Sequence, residues 1–197
     1  MTERTLTWQG YGEPARFEQS RAELRLGRLH ARGTMLFGGD DPCRVDYELD
    51  TVEDFITRRL LVRASGPTWS RELRLSRDSE GGWSARRLAH PADGVDGLAD
   101  VDLLDSALDC DLAYCPLTNL MPVLRHRLHR DPGKIDMVMA WVQLPQLVVV
   151  RSGQSYEHLS RTEGGAAIRF SSGNFTADIA VDRSGFVTDY PGIARRV

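Results

Sequence analysis

The chain has 197 residues, of which 41% are hydrophobic and 27% are charged, as is typical of a folded protein rather than a disordered or membrane-embedded one. A net charge of −3 with scattered arginines disfavours a nucleic-acid partner. No apolar stretch is long enough for a membrane span, the first residues lack a signal-peptide pattern, and three cysteines do not suit a disulfide framework. We therefore expect one cytosolic domain over residues 1–197.

Alternating apolar and polar residues predict strands with one buried face. RVDYELD, from residue 44, places Val45, Tyr47 and Leu49 on one face, and TWSRELRLSR and NFTADIAVD follow the same period. Glycine-containing stretches, such as SEGG at 79, RSG at 151 and SSGN at 171, predict the intervening turns. Helix signals are limited to TVEDF and DLLDSAL. These patterns predict an all-β fold, a single antiparallel sheet in meander order.

Two segments interrupt this alternation. Residues from about 90 to 106 are acidic and contain glycine, which predicts a long surface loop. The stretch CPLTNLMPVLR has prolines at 116 and 122, which predict an irregular crossing outside the sheet. Thr118 and Asn119 are suited to satisfying the backbone groups that such a crossing leaves without ladder partners. Alternatively, Asn119 and Arg125 face a pocket and bind a polar headgroup.

The segment IDMVMAWVQL, residues 135–144, is apolar on both faces of a predicted strand. Such a strand is either covered on both sides or has one face lining a cavity. A lining that contains methionine suits an apolar ligand, because this side chain adapts to irregular shapes. Trp8, Trp69 and Trp83 are further candidates for an apolar lining.

Asp109 and Asp111, in LDCDL, point to the same face of a strand. Their spacing is compatible with the acid and base of an inverting glycosidase, but equally with two aspartates that accept structural hydrogen bonds. His126 and His129 would face opposite sides of a strand, which disfavours a shared metal ion. No cofactor or metal motif is present in the sequence, so an enzymatic hypothesis depends on the two aspartates alone.

Four segments resemble a bacterial family described as putative glycolipid-binding. They are DCDL at 109–112, PLTNLMPVLR at 116–125, QSY at 154–156 and VDRSGFVTDYPG at 181–192, and the resemblance is strongest over 105–197. Leu124 stands where members often have the first of two adjacent arginines. The resemblance implies a curled sheet folded on itself as a spiral β-roll, and a glycolipid ligand. Carried over by position, the implied ligand-binding residues are Asp109, Asp111, Thr118, Asn119, Arg125, Gln154 and Tyr156, with Tyr47 and Arg58 from the N-terminal half.

The leading hypothesis is therefore a non-catalytic protein that binds a glycolipid or another amphipathic small molecule, without a metal or cofactor. A second hypothesis is a hydrolase that uses Asp109 and Asp111 on a glycoside-like substrate. A third is an interaction or scaffold protein acting through exposed sheet edges, which would also permit a homodimer joined edge to edge.

Overall fold

A computed structural model describes residues 2–98 and 102–197. Most of these residues belong to one sheet of 14 strands, in the order β7-β6-β5-β4-β3-β2-β1-β14-β13-β12-β11-β10-β9-β8. The strands are β1 Thr2–Gly10, β2 Arg16–Arg25, β3 Arg28–Phe37, β4 Cys43–Thr51, β5 Thr57–Ser65, β6 Ser70–Arg77, β7 Trp83–His90, β8 Asp109–Leu112, β9 Lys134–Gln143, β10 Val148–Thr162, β11 Gly165–Ser172, β12 Phe175–Asp182, β13 Val187–Tyr190 and β14 Ala194–Arg196.

Successive antiparallel pairs build each half of the sheet, and β1 joins the halves by pairing with β14. The sheet also curls back on itself. The amide of Thr57, at the start of β5, donates to the Leu108 carbonyl at 3.0 Å, and the amide of Cys110, in β8, donates to the Thr57 hydroxyl at 3.0 Å. Strands far apart in the sheet order are therefore neighbours in space, and the predicted all-β sheet folded on itself is confirmed.

One strand pair departs from the predicted antiparallel order. β8 runs parallel to β9, so the sheet is mixed. The reason lies in the connection between them, because parallel neighbours need a longer crossover than a hairpin turn supplies. This crossover contains the 3₁₀ helix Pro116–Asn119 and the α-helix α1, Leu120–Arg125.

The two prolines therefore lie in helical turns and not in the irregular crossing that the sequence predicts. Pro116 opens the 3₁₀ helix and Pro122 lies in the first turn of α1, where a missing amide hydrogen costs nothing. The predicted backbone role is confirmed for Asn119 alone, whose amide donates to the Pro116 carbonyl at 3.3 Å. The Thr118 hydroxyl lies 2.9 Å from the Cys115 carbonyl oxygen, but its one hydrogen is directed to Asp111 at 2.7 Å.

The other local predictions have mixed outcomes. The two helix signals correspond to 3₁₀ helices at Glu53–Phe55 and Asp102–Leu104. The predicted turn at 151–153 is wrong, because β10 runs through it and the turn occupies residues 144–147 instead. Gly153 is accommodated in the strand with open space where a side chain would lie. Part of the predicted loop at 90–106, residues 99–101, lies outside the described residues.

Two apolar clusters occupy opposite faces of the C-terminal half of the sheet. In the first, Val45, Leu49 and Leu73 of the N-terminal half belong to the same cluster as Ala140 and Val142 of β9. In the second, Val123 and Leu128, from α1 and the turn after it, pack with three residues of β10 to β12, which are Tyr156, Ile168 and Ile179. The crossover segment therefore covers the face of the sheet that the N-terminal half leaves open.

Arg125 joins the end of α1 to two other parts of the chain. Its guanidinium makes two hydrogen bonds to the carboxylate of Asp109 on β8, one of them at 2.7 Å. It also donates to the carbonyls of Asp54 at 2.8 Å and Phe55 at 3.0 Å. The Asp109 side chain is only 1% exposed. Burial raises the pKa of Asp109 and the Arg125 guanidinium opposes that effect.

A second buried polar group, the carboxyl of Glu18, has only neutral hydrogen-bond partners among the described residues. One carboxyl oxygen of Glu18, Oε1, accepts hydrogen bonds from Ser20 at 2.7 Å, Tyr47 at 2.7 Å and Cys115 at 3.2 Å. The other oxygen is buried, and it has no hydrogen-bond partner among the described residues. The Tyr47 ring lies against Gly33, where a Cβ would come within 2.4 Å of it. Burial raises the pKa of Glu18, and the three hydrogen bonds only partly oppose this.

We predict that Arg125→Leu lowers the free energy of unfolding by about 3–5 kcal/mol at neutral pH, because it leaves the buried Asp109 carboxylate without its partner. Urea unfolding measures the effect. Arg127→Leu is the matched control, since it removes an exposed arginine paired to Asp131 and should cost less than about 1 kcal/mol. The double variant Arg125→Leu with Asp109→Leu should recover part of the loss. Equal losses for Arg125→Leu and Arg127→Leu would contradict the prediction.

We also predict a pH-dependent effect of Glu18→Gln. Because the pKa of Glu18 is raised in the folded state, the unfolded chain ionises first, and the wild type loses stability as pH rises above about 4.3. The Gln variant lacks this loss, so its stability relative to wild type should increase between pH 4 and pH 8. A difference of one pKa unit between the states corresponds to about 1.4 kcal/mol. Chemical unfolding across this range measures it, with Glu23→Gln as the control on the same strand, and parallel profiles for wild type and Glu18→Gln would refute it.

Candidate functional site

Edge strand β8 presents two carboxylates beside the crossover helices. In the parallel ladder, Asp109 lies opposite Met139 and Asp111 opposite Trp141. Residues two apart on a strand point to the same face, as the sequence predicts for this pair. Asp109 is bonded to Arg125, while Asp111 lies one pleat further along the strand, so the two aspartates have different partners.

Asp111 is the centre of a hydrogen-bond network. One of its carboxyl oxygens accepts from the Thr118 hydroxyl at 2.7 Å and the other accepts from the Gln154 amide at 2.7 Å. The Tyr156 hydroxyl donates to the Asn119 amide oxygen at 3.0 Å and lies 3.2 Å from the Gln154 amide oxygen. The structure therefore brings together the predicted residues of β8, the crossover and β10.

No cation neutralises Asp111 directly. Within residues 2–98 and 102–197 its side-chain partners are the neutral groups of Thr118 and Gln154. Burial raises the pKa of Asp111, the hydrogen bonds from Gln154 and Thr118 lower it, and the nearby Asp109 raises it. Each carboxyl oxygen has a further lone pair, so Asp111 retains a capacity to accept hydrogen bonds from a ligand.

Asp111, Asn119 and Gln154 reach a cavity of about 380 Å³, here named the aromatic cavity. Its walls include five aromatic side chains, which are Tyr114, Trp141, Phe170, Phe175 and Tyr190. Phe170 packs edge-on against Tyr190, with ring centroids 5.8 Å apart, and Tyr114 and Phe175 are 44% and 40% exposed. The cavity is thus an apolar space with a partly open rim and a few polar groups.

A second cavity of about 640 Å³, here named the charged cavity, lies beside the first. Its charged and titratable lining residues are Asp109, Arg125, His126, Asp136 and Arg151, and its hydroxyl groups come from Ser106, Ser155, Ser171 and Ser172. Ile135, Met137 and Val138 of β9 supply an apolar part of the wall. Gln154, Ser172 and Gly173 line both cavities, so the two spaces meet where the turn between β11 and β12 lies beside β10.

The apolar strand was expected to be either covered on both sides or to line a cavity. Each interpretation applies to one face of β9. Ala140 and Val142 are buried against the N-terminal half, whereas Met137 lines the charged cavity and Trp141 lines the aromatic cavity. The alternation of side chains along the strand separates these two roles.

Two of the carried-over residues lie apart from the network. Tyr47 is buried and donates a hydrogen bond to Glu18. Cys115, which also donates to Glu18, lines the aromatic cavity, but Tyr47 itself does not. Arg58 is exposed on β5 and lines neither cavity.

The three proposed tryptophans line neither cavity. Trp8 is fully buried and donates to the Val187 carbonyl at 2.9 Å, and Trp83 donates to the Ala107 carbonyl at 3.1 Å. Trp69 lies 4.3 Å from the guanidinium of Arg71. The sequence analysis proposed the strand that contains Trp141 as a cavity lining, but it missed the rest of the aromatic wall. Tyr190 belongs to a quoted motif and Phe175 to a predicted strand, and alternation in that strand did not show that its apolar face is partly open.

The described residues show neither a metal centre nor a membrane-spanning helix. Between residues 2 and 98 and between 102 and 197, no group of three or more His, Cys, Asp or Glu side chains is placed to hold a metal ion. In the same ranges, every helix is too short or too polar to cross a bilayer.

Comparison with known proteins identifies a similar fold and a family. The solved structure of a DUF1089 family protein from Pseudomonas aeruginosa is similar in fold, with a TM-score of 0.70, 22% identity and coverage of 91% of this chain and 92% of that chain. None of the curated proteins matches the chain significantly. A family model described as "Putative glycolipid-binding" matches residues 5–196, which include both halves of the sheet and the entire network around Asp111. The chain therefore belongs to this family.

Proposed function

We propose that the protein binds an amphipathic small molecule of the glycolipid type and does not transform it. The observation that carries the proposal is the junction of two unlike cavities at Gln154, Ser172 and Gly173. One is walled by aromatic rings and the other contains charged and hydroxyl groups. A ligand with an apolar end and a hydroxylated end matches this pair of spaces.

The aromatic cavity supports binding of the apolar end. Ligand sites are typically concave and mostly apolar, with a few polar groups that fix orientation. Trp141, Phe170 and Phe175 supply rigid apolar area, because aromatic rings bury much surface with few rotatable bonds. Asp111 and Asn119 are the polar groups on this side, and they would contact the linkage to the headgroup.

The charged cavity supports binding of the hydroxylated end. A sugar hydroxyl both donates and accepts hydrogen bonds. Carboxylates such as Asp136 accept them, guanidinium groups such as Arg151 donate them, and the serine hydroxyls do both. Gln154 lines both cavities, and its amide hydrogen is already directed to Asp111, which fixes its orientation. The family description supports the same class of ligand.

The contacts of the two aspartates support binding over hydrolysis. A general acid or base needs a carboxyl group that exchanges a proton with the substrate. Both carboxyl oxygens of Asp109 accept hydrogen bonds from Arg125. One oxygen of Asp111 accepts from Thr118 and the other from Gln154. These partners hold the two carboxylates as acceptors. A cytosolic location and an edge-to-edge homodimer stay predictions.

The proposal predicts that n-octyl-β-D-glucoside, below its micelle concentration, binds more tightly than either glucose or octanoate, because only the detergent fills both cavities. Trp141→Ala should weaken its binding by about tenfold, which corresponds to ~1.4 kcal/mol. Isothermal titration calorimetry measures both effects. Trp69→Ala is the matched control, since it removes a partly exposed tryptophan that lines neither cavity.

Gln154→Leu tests the junction in the same titrations. It should reduce the preference for the glucoside over octanoate, because the leucine keeps the volume and removes the polar contact. The proposal fails if wild type binds none of the three compounds, or if Trp141→Ala and Trp69→Ala bind the glucoside equally well.

A further inference from the structure

A third cavity, of about 450 Å³, shares no lining residue with the aromatic or charged cavity. Three separate chain segments form it: the turn that follows α1, the β10–β11 hairpin, and the turn between β12 and β13. Its lining residues, named here the arginine site, are Arg127, His129, Arg130, Asp131, Arg161, Thr162, Gly165 and Arg183.

The arginine site has a strong excess of positive charge. Four of its lining residues are arginines, whereas Asp131 is the one carboxylate among the described residues that line it. Asp131 lies 2.8 Å from Nε of Arg127 and 3.8 Å from a terminal nitrogen of Arg161. One carboxylate cannot neutralise four guanidinium groups, so the site has a positive charge that a ligand anion would offset.

Backbone carbonyls hold two of the guanidinium groups in place. Nε of Arg161 donates to the Arg130 carbonyl at 2.8 Å, and one terminal nitrogen of Arg183 donates to the Glu163 carbonyl at 2.9 Å. A guanidinium has five N–H donors, so each of these contacts orients the group and leaves further donors for a ligand. Planar guanidinium groups fixed in this way suit the oxygens of a phosphate.

His129 adds a buried polar side chain to the wall of the arginine site. The residue is only 7% exposed, and among the described residues its Nδ1 has no hydrogen-bond partner. An unpaired buried polar atom is unfavourable, and a neutral ring with its hydrogen on Nδ1 would become a donor to an anionic oxygen that reached it. Burial and the neighbouring Arg130 lower the pKa of His129, the Val123 carbonyl and Asp131 oppose this, and Arg127 adds to it.

We propose that the arginine site binds a phosphate group, either of a soluble phosphate monoester or of a phospholipid headgroup. The volume exceeds that of the bare anion, so the remainder of the site accommodates the organic group that the phosphate carries. This proposal is independent of ligand binding in the aromatic and charged cavities, because the sites have no lining residue in common.

The test is calorimetric titration of the full-length chain with inorganic phosphate and with glycerol 3-phosphate at neutral pH and low ionic strength. The double variant Arg161→Gln with Arg183→Gln should weaken phosphate binding at least tenfold, because it removes two guanidinium groups from the site. Arg195→Gln is the matched control, since Arg195 is an exposed arginine on β14 that does not line the site. Circular dichroism and urea unfolding establish that the variants are folded.

Vesicle sedimentation distinguishes the two sources of phosphate. Phosphatidylcholine vesicles with and without phosphatidic acid are mixed with wild type and with the double variant. If wild type binds the phosphatidic acid vesicles and the double variant does not, the ligand is a lipid headgroup. If only the soluble compounds bind, the ligand is a soluble monoester.

Either result supports the arginine site. The proposal is overturned if neither phosphate source binds, or if the double variant binds as tightly as the Arg195→Gln control. The octyl glucoside titration in the same variants should be unchanged, which separates failure of this proposal from failure of the amphiphile site.

Discussion

The ion pair between Arg125 and Asp109 is the interaction on which the arrangement of both halves depends. A carboxylate that is almost fully buried needs a partner, and here the partner comes from the end of a helix of six residues. The same guanidinium donates hydrogen bonds to the carbonyl oxygens of Asp54 and Phe55 in the N-terminal half. A single side chain therefore joins the edge strand β8, the crossover helix and the turn before β5. Among the described residues, β8 pairs in the sheet with β9 alone, and this contact attaches the strand at a second point.

The position of β8 in turn determines the environment of Asp111. The pairing of β8 with β9 places Asp111 opposite Trp141. Asp111 then lies between the crossover helices and β10. Its hydrogen-bond donors come from both sides, Thr118 from the crossover and Gln154 from the sheet. Such a network orients each of its members, because every side chain has a fixed partner. The polar groups of the aromatic cavity are therefore organised before any ligand arrives.

Much of the sheet could be predicted from the sequence, because alternation reports directly which residues face inward. Val45, Leu49 and Ile179 are buried as their periodicity indicates. The short helices at Pro116 and Leu120 could not be predicted from the same signals. They are too short to show a helical period, and two prolines are more often read as a break in structure. The parallel pairing of β8 was missed for a related reason, since it depends on the path of this crossover and not on the strand itself.

The site was predicted to a different extent. The residues around Asp111 were found by their resemblance to a family pattern, and Trp141 by the apolar strand that contains it. The rest of the aromatic wall was not found, because alternation groups Phe175 with other apolar residues but does not show whether their face is filled. The Arg58 assignment had only a loose match in the N-terminal half, and the structure places this side chain in solvent. Local patterns thus identified the faces of the sheet, while the empty volumes between them depend on contacts that are distant in the sequence.

The crossover between β8 and β9 contributes polar groups to two separate places in the fold. In a sheet, alternate side chains are committed to the core, and their backbone polar groups are committed to ladder bonds. The crossover is not bound by strand alternation, and its backbone bonds are made within its own helical turns. Its first part supplies Thr118 and Asn119 to the network, its middle packs Val123 and Leu128 on the sheet, and the turn beyond provides Arg127 and His129 to the arginine site. One irregular segment, anchored by its apolar middle, therefore presents polar groups at both of its ends, while the repeated hairpins supply a rigid surface beneath it.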